Sequence, residues 1–350
     1  MKTLYKILIV LLFPIATFAK PIDETIVKEK SYSKSYATNA DATAEINNKF
    51  GSITVVLTNE NKISIDVNVK VTGSSESRVE KKLNGIDVDF SNSSSIVSAK
   101  TTFDNNGDSN SYESINIEIN YLVKIPKNGN IDLINKYGSI KVDELNGTSK
   151  IEIKYGSFTL GQFRNKSNVF EMGYSTNSSI DFIDTLTLDI KYSKLKIDKN
   201  YGIFIDGNYN DFLFQNVGIV KFNGNYSKIK SSTMVQMDCD GNYLTLNLGE
   251  IGQADINSNY STINMSANSK TKNISVDANY SKTNIVCDND YSFEFEIAVN
   301  YGSLNTNLDL NYSEKSEKNN SKYYVGTRNG KSKSKIKANS NYGSVSLLNN

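Results

Sequence analysis

The chain has 350 residues and an almost balanced charge, with 39 Lys and Arg against 38 Asp and Glu. A nucleic-acid-binding protein needs a basic footprint, and this composition supplies none. The chain contains no His, which removes the commonest acid–base group and zinc ligand. Composition therefore argues against a nucleic-acid partner and against a His-based metal or catalytic centre.

The first 19 residues have the pattern of a secretory signal peptide. Lys2 and Lys6 form the charged start, residues 7–13 form the apolar run, and residues 17–19 form a small-residue cleavage site. The apolar run is too short to span a bilayer, and no later stretch is apolar enough to do so. The sequence therefore predicts an exported chain without a transmembrane segment, located in the periplasm, on the outer-membrane surface or outside the cell.

Residues 20–130 are predicted to be a β-rich region. The segment around Phe50 reads Asn-Lys-Phe-Gly-Ser-Ile and resembles a first copy of the repeat described below. Residues 74–84 are predicted to form one short helix, with Val79 and Leu83 on one face and Gly85 as its stop. Strands are expected at 63–71, 86–90, 96–103 and 115–125. Because an open sheet end needs covering, we expect this region to cap the repeats.

One pattern recurs over residues 131–350. An alternating apolar stretch ends in Asn or Lys, then Tyr, then usually Gly or Ser. Successive Tyr residues are 17 to 21 residues apart, with a final gap of 41. Self-similarity at a near-fixed period indicates a repeat architecture. The aromatic positions are Tyr137, Tyr155, Tyr174, Tyr192, Tyr209, Tyr226, Tyr243, Tyr260, Tyr280, Tyr301 and Tyr342.

The columns of the repeat predict the local structure. Apolar residues recur four positions before the Tyr and three and five positions after it, as in Ile205, Phe212 and Phe214 around Tyr209. Alternation on each side indicates a strand, and the change of parity indicates a corner at the aromatic. The sequence therefore predicts an all-β fold, a β-solenoid with two short strands in each coil of about 17–20 residues.

An antiparallel meander of hairpins is the alternative. It would show tight two-residue Asn-Gly turns between alternating runs, whereas the second turn of these repeats varies in length and residue type. Stacked coils also explain the Asn that precedes the Tyr in most units, since identical Asn side chains form ladders along parallel strands. Residues 306–335 interrupt the period and are predicted to be an inserted loop or hairpin before a last strand at 342–348.

The Tyr column is the first candidate binding stripe. Rings that face solvent would offer aromatic faces to sugars or a partner protein, whereas rings at the corner would form a structural stack. Parity with the inward positions favours the structural interpretation. The residues of this candidate stripe are Tyr137, Tyr155, Tyr174, Tyr192, Tyr209, Tyr226, Tyr243, Tyr260, Tyr280 and Tyr301.

An acidic column lies three positions before the Tyr. Stacked like charges oppose folding, so nearby lysines such as Lys154 and Lys191 are expected to offset them. A solvated surface with mixed ion pairs is the simpler interpretation, and divalent cation binding is the alternative. No metal or cofactor is predicted. The column consists of Glu152, Glu171, Asp189, Asp206, Asp240 and Asp277.

The two cysteines, Cys239 and Cys287, occupy different columns of the repeat. A disulfide would have to bridge more than two coils, although bridged Cα atoms must lie within about 7 Å. Two buried free thiols are the better interpretation.

The order of these features along the chain resembles that of a known protein family. A signal peptide, a Ser-Lys-Ser-Tyr segment, the Phe50 motif, a strand, a short helix and many Tyr-Gly-Ser and Asn-Tyr-Ser units follow one another. The chain resembles the secreted β-strand-repeat proteins of Bacteroidetes-type bacteria that are grouped as "putative adhesins" and are related to the autotransporter-adhesin head domain. The resemblance implies a β-solenoid in the cell envelope and implies no catalytic residues.

Three hypotheses for function follow. The first is a non-enzymatic structural, adhesion or binding module whose partner is a polysaccharide or another envelope protein. The second is a carbohydrate-active enzyme on the same scaffold, which would need an acid and a base converging in a groove. Because the carboxylates repeat in register instead, the first is favoured. The third is a periplasmic scaffold or sensor in envelope stress.

Overall fold

The computed structural model describes residues 25–104 and 115–350. The predicted signal peptide, residues 1–19, lies outside these ranges. The described residues form 26 strands and one helix, and these strands belong to one hydrogen-bonded sheet. The all-β prediction is confirmed. No helix in the described ranges has the length and apolar character needed to cross a membrane.

The elements follow in chain order. The N-terminal region contains β1 (Ile26–Ala37), β2 (Thr43–Lys49), β3 (Ser52–Thr58), β4 (Lys62–Gly73), α1 (Glu76–Asn84), β5 (Ile86–Asn92), β6 (Ile96–Phe103) and β7 (Asn116–Pro126). The first repeats contain β8 (Asn130–Lys136), β9 (Ser139–Leu145), β10 (Ser149–Lys154), β11 (Ser157–Phe163) and β12 (Asn168–Gly173). The central repeats contain β13 (Ser178–Lys191), β14 (Lys194–Asn208), β15 (Asp211–Asn223), β16 (Lys228–Asn242) and β17 (Thr245–Asn259). The C-terminal part contains β18 (Thr262–Ala267), β19 (Asn273–Asp277), β20 (Lys282–Cys287), β21 (Phe293–Asn300), β22 (Ser303–Thr306), β23 (Asn311–Lys318), β24 (Ser321–Arg328), β25 (Lys335–Asn341) and β26 (Ser344–Asn349).

Repeats that follow one another in sequence pair as parallel strands in register. Ile151 pairs with Phe170, which pairs with Leu188, and the same rows continue through β14, β15 and β16. Two such ladders exist, one before the Tyr corner and one after it. This pairing excludes the antiparallel meander for the repeats, because a meander would pair neighbouring strands in opposite directions.

The core lies between the two ladders. The apolar residues four positions before each Tyr from Leu133 to Ile297 are buried, as are those three positions after it, apart from the partly buried Leu304. Alternation places these side chains inward and the polar residues between them outward. In the central repeats the two strands of a unit merge into single strands of 13 to 15 residues, so the second predicted turn is replaced by a bend inside a strand.

Asn177 interrupts the apolar column because the chain contains one extra residue there. Asn177 has a left-handed backbone with φ of 59°. The next residue, Ser178, then pairs with Leu195, and Ile180 pairs with Ile197. A single residue in the left-handed region therefore restores the register without disturbing the following strand.

Antiparallel strands and the helix lie at the N-terminal end of the ladders. Strand β4 pairs antiparallel with β7 and with β1, while β5 pairs antiparallel with β6. The helix begins at Glu76, two residues later than predicted, and buries Val79 and Leu83 toward β4 and β1. Charged residues on β1, such as Lys28 and Lys34, protect an edge strand from pairing with another chain.

Both ends contain a repeat that is out of sequence order. Strand β2 lies between β6 and β8, so the Phe50 unit stacks directly on the Tyr137 unit. At the other end β25 lies between β19 and β21, and β26 lies between β20 and β22. The last repeat in sequence is therefore the penultimate one in space. The predicted insertion at 306–335 contains the hairpin β23–β24, and β24 pairs antiparallel with β21.

This order predicts an outcome for truncation before Lys335. The β21–β22 unit would lose the strands that join it to β19 and β20, so we expect residues 291–334 to lose their structure as well. Hydrogen exchange measured by mass spectrometry should show fast exchange throughout β21 and β24 and retained protection in β14–β17, since each repeat contacts only its neighbours. Unchanged protection of β21 in the truncated chain would contradict the order.

Candidate functional site

The aromatic residues of the repeat form one continuous column at the corner. Twelve rings stack face to face with centroid separations of 4.7–5.4 Å and interplanar angles of 2–19°. From one end to the other, the column consists of Phe50, Tyr137, Tyr155, Tyr174, Tyr192, Tyr209, Tyr226, Tyr243, Tyr260, Tyr280, Tyr342 and Tyr301.

The corner itself is made by the aromatic residue. Each of the twelve has a left-handed backbone with φ between 51° and 66°, so the residue that turns the chain is the Tyr, not the Gly or Ser after it. A non-Gly residue in this region costs roughly 1–2 kcal/mol. Ring stacking offsets this cost at about 0.5–1.5 kcal/mol per pair. The Tyr backbone N–H also donates to the carbonyl of the neighbouring unit, as from Tyr226 to Asn242 at 3.0 Å.

Two polar ladders flank the ring column. Outside it, the amide of Asn242 donates to Asn225 Oδ1 at 3.3 Å, and that of Asn259 donates to Asn242 Oδ1 at 2.9 Å, which confirms the predicted Asn ladder. Inside it, the buried Ser227 hydroxyl accepts the N–H of Asn210 at 3.1 Å and donates to the carbonyl of Asn225 at 3.0 Å. The Ser after the Tyr therefore satisfies backbone groups that the corner removes from the ladders.

The Tyr side chains are half exposed, with 47–58% of each residue accessible. The left-handed residue turns its side chain out of the corner, and the rings stack on one another there. The ring faces cover one another, which leaves ring edges and phenol hydroxyls in solvent. A spacing near 5 Å leaves no room for a sugar between two rings, so the column cannot offer a ribbon of open aromatic faces.

This geometry predicts the order of stability among substitutions at Tyr226. Phe keeps the stack and loses only a solvent-facing hydroxyl, so the free energy of unfolding should change by less than about 0.5 kcal/mol. Asn tolerates the left-handed backbone but loses two ring pairs, at a cost of about 1–3 kcal/mol. Val loses the stack and adds strain of about 1–2 kcal/mol. Urea unfolding followed by circular dichroism measures the series, and equal losses for Asn and Val would contradict the role of the backbone conformation.

The acidic column forms a single row on the outward side of the ladder that precedes the corner. Glu152 pairs with Glu171, Glu171 with Asp189, and Asp189 with Asp206. Beyond Asp206 the row alternates with amides, because Asn223 and Asn257 lie on either side of Asp240, and Asn257 pairs with Asp277. The amides dilute the repulsion along the row, and Asn223 Nδ2 donates to Asp206 Oδ1 at 3.3 Å.

Lysines neutralise one end of this row. Lys154 Nζ lies 2.7 Å from Glu152 Oε1, and Lys136 Nζ lies 3.9 Å from the same oxygen. The hydrogen bond to Glu152 raises the pKa of Lys154 above its ordinary value, with smaller contributions from Glu171 and Asp189. In the described ranges, no Lys or Arg nitrogen lies within 4.0 Å of the carboxylates of Asp189, Asp206 or Asp240. Among the described residues, no group of three or more acidic, Cys or His side chains is arranged to hold a metal ion.

The acidic row borders a groove that the sequence analysis missed. The groove has a volume of about 680 Å³ and extends over the five repeats from Thr187 to Asn257. One wall is the acidic row, and the other contains Phe204, Lys221 and Asp238 two positions earlier on each strand. Phe204 is 44% exposed although it lies on an outward position of a central strand. The sequence feature that could have indicated this groove is Phe204, because the same position is Thr, Lys or Asp in the neighbouring repeats.

Both cysteines are free and buried, as the sequence predicted. Burial raises the pKa of each thiol to about 12. Because a thiol in the unfolded chain ionises near pH 8.5–9, the unfolded state loses its protons first as the pH rises. These thiols therefore lower stability above about pH 9 and have no such effect at neutral pH.

The thiols give a direct test of the fold. At pH 8 both are protonated and inaccessible, so iodoacetamide should label neither Cys239 nor Cys287 in the native protein and both in 6 M guanidinium, as mass spectrometry would show. Rapid labelling of Cys239 in the native state would mean that the sheet beneath the groove is open.

No family model matches the chain, and no curated protein matches it either. Several solved structures are similar to it. A "putative cell adhesion protein" from Clostridium sporogenes is 11% identical with a TM-score of 0.20, and the match covers 92% of this chain and 100% of that one. A "putative adhesin" from Parabacteroides distasonis is 10% identical with a TM-score of 0.29, covering 91% and 97%. A "putative lipid binding protein" from the same organism is 9% identical with a TM-score of 0.31, covering 91% and 96%.

One of these three structures is described in the same words, "putative adhesin", as the family that the sequence resembles. At this degree of superposition, what the molecule does must be argued from its own residues.

Proposed function

We propose that the chain is a β-solenoid of the cell envelope or extracellular space that acts as a non-enzymatic adhesion or binding module. The observation that carries the proposal is the uninterrupted column from Phe50 to Tyr301. Each repeat returns to the same corner one strand spacing from the last, which builds a rigid rod with outward faces of regular composition. A rod twelve repeats long with a strand spacing of about 4.8 Å extends over roughly 50 Å.

The two regions of the chain have different tasks in this proposal. Residues 131–350 form the solenoid, and residues 20–130 cap one end of it. The antiparallel strands β1 and β4 and the buried face of α1 support this, because they stop parallel pairing and cover the core. The hairpin β23–β24 performs the same task at the other end. Export by the signal peptide at residues 1–19 places the module outside the cytoplasm.

The binding surfaces are the two stripes predicted from the sequence. The Tyr column offers ring edges and hydroxyls next to the Asn ladder, and the acidic column offers carboxylates along a groove. The partner is a polysaccharide or another envelope protein. A carbohydrate-active enzyme would require an acid and a base that converge. The acidic column instead follows one row at one residue per repeat, which favours binding. Asp238, a second outward carboxylate in the repeat of Asp240, is paired with Lys221 at 3.6 Å.

A glycan array followed by product analysis tests the proposal. We expect the mature chain to retain at least one class of envelope or extracellular polysaccharide without releasing new reducing ends or unsaturated sugars. Turnover of the bound polymer would replace the proposal with the enzyme hypothesis. A pull-down from envelope extracts tests the third hypothesis, because recovery of one membrane protein in place of glycan would indicate a periplasmic scaffold or sensor.

A further inference from the structure

Phe204 is an aromatic side chain exposed in the middle of a sheet face. Its strand β14 lies between β13 and β15, and Phe204 pairs with Thr187 on one side and Lys221 on the other. Lys221 Nζ lies 5.9 Å from the centre of the Phe204 ring and 3.6 Å from Asp238 Oδ2. The ring therefore presents an apolar aromatic surface to solvent beside the row of carboxylates and amides.

The groove beside Phe204 has the shape of a linear binding site. Its two walls are outward rows of side chains, and its floor is the strand backbone above Leu188, Ile205 and Phe222. It crosses five repeats, or four steps of about 4.8 Å, which is roughly 19 Å along the rod. A ligand that fills it must be extended and must run parallel to the column of Tyr rings.

A peptide is a poor occupant of this groove. Peptides that bind to sheets usually add a strand to a free edge and use its unpaired backbone groups. The strands β14, β15 and β16 are each paired on both sides here, so no such edge exists. Only side chains can hold the ligand, and they provide one exposed aromatic ring, two amides, one threonine hydroxyl, one lysine and five carboxylates.

These groups match an uncharged sugar polymer. The apolar C–H face of a pyranose packs on an aromatic ring, and its hydroxyls donate to carboxylates and exchange hydrogen bonds with amides. Asp189, Asp206 and Asn223 provide such partners in consecutive repeats. An anionic polymer would be repelled by the row, because Asp240 and Asp255 add further negative charge along the groove. A cationic polymer would be attracted by the five carboxylates and repelled by Lys221 in the middle of the site, and chitosan tests this alternative.

We propose that this groove binds a short extended stretch of an uncharged linear polysaccharide along the rod axis, with one pyranose ring on Phe204. The proposal deepens the binding function proposed above and rests on it. Phe204 is the aromatic platform, and the row of Asp189, Asp206 and Asn223 positions the hydroxyls of successive sugars.

Phe204→Ala tests the platform. Leu213→Ala is the matched control, since Leu213 is 38% exposed in the next repeat and follows the corner, on the other ladder. Affinity electrophoresis in gels containing hydroxyethyl cellulose, laminarin or galactomannan should show retardation of the unchanged protein by at least one polymer. We expect Phe204→Ala to weaken that binding about tenfold or more and Leu213→Ala to leave it within about twofold. Equal effects of the two substitutions would overturn the proposal.

Substitutions at Asp206 separate hydrogen bonding from charge. With an uncharged polymer, Asp206→Asn should retain more affinity than Asp206→Ala, because an amide still bonds to hydroxyls. Polygalacturonate should cause no retardation. Retardation by chitosan alone, lost equally in both Asp206 variants, would show a site for positive charge and overturn the proposal.

The outcome also distinguishes this site from the general function. If no uncharged polymer binds but the glycan array or the envelope pull-down finds another partner, the groove proposal fails while the binding-module proposal stands. If an uncharged polymer binds and only Tyr-column variants such as Tyr226→Asn weaken it, the ligand lies at the corner and the groove proposal again fails. Circular dichroism of each variant checks that the fold is retained.

Discussion

The parallel pairing of each repeat with the next one, in register, is the constraint on which the rest of the molecule depends. It converts a position in the repeat into a row along the rod, so that like side chains become neighbours at one strand spacing. Rows in which identical side chains attract one another stabilise this arrangement. The stacked rings, the hydrogen-bonded Asn amides and the Ser hydroxyls at the corner are such rows. The acidic row works against it, and the amides of Asn223 and Asn257 and the lysines near Glu152 reduce its cost.

The corner shows how an unfavourable backbone conformation can be repeated twelve times. A left-handed Tyr is unfavourable alone, but its ring lies between two others and its N–H reaches the neighbouring unit. The gain therefore comes only when adjacent repeats are already in place, whereas the strain belongs to each repeat separately. This makes the stack cooperative, since an isolated unit has the strain without the contacts.

Much of this structure could be predicted from the sequence, because periodicity indicates which positions lie on the same surface. The buried columns, the Asn ladder, the all-β fold, the helix near residues 76–84 and strands such as Ile96–Phe103 follow from alternation and turn residues. The outward turn of the Tyr rings could not be read in this way, because alternation counts residues and takes no account of a left-handed one among them. The order of the repeats along the ladders could not be predicted either, because the sequence of one repeat is compatible with any other repeat as its neighbour.

The groove was missed for a different reason. Phe204 is one aromatic residue in a column without a fixed residue type. Periodicity identifies residue types that recur and does not identify one that occurs once. Function in repeat proteins tends to reside in such exceptions, since the recurring positions are occupied with holding the units together. Lys221 and Asp238 occupy the same column in the next two repeats.

The interleaved ends also limit how such a protein can change its length. At each end a strand pair inserts between two others that are distant from it in sequence, so both sides of that pair are already occupied. Units between Tyr137 and Tyr280 pair only with their immediate predecessors and successors. A whole repeat gained or lost by duplication or deletion in that interior stretch therefore keeps the sequential pairing on both sides, whereas a change at the interleaved strands breaks it.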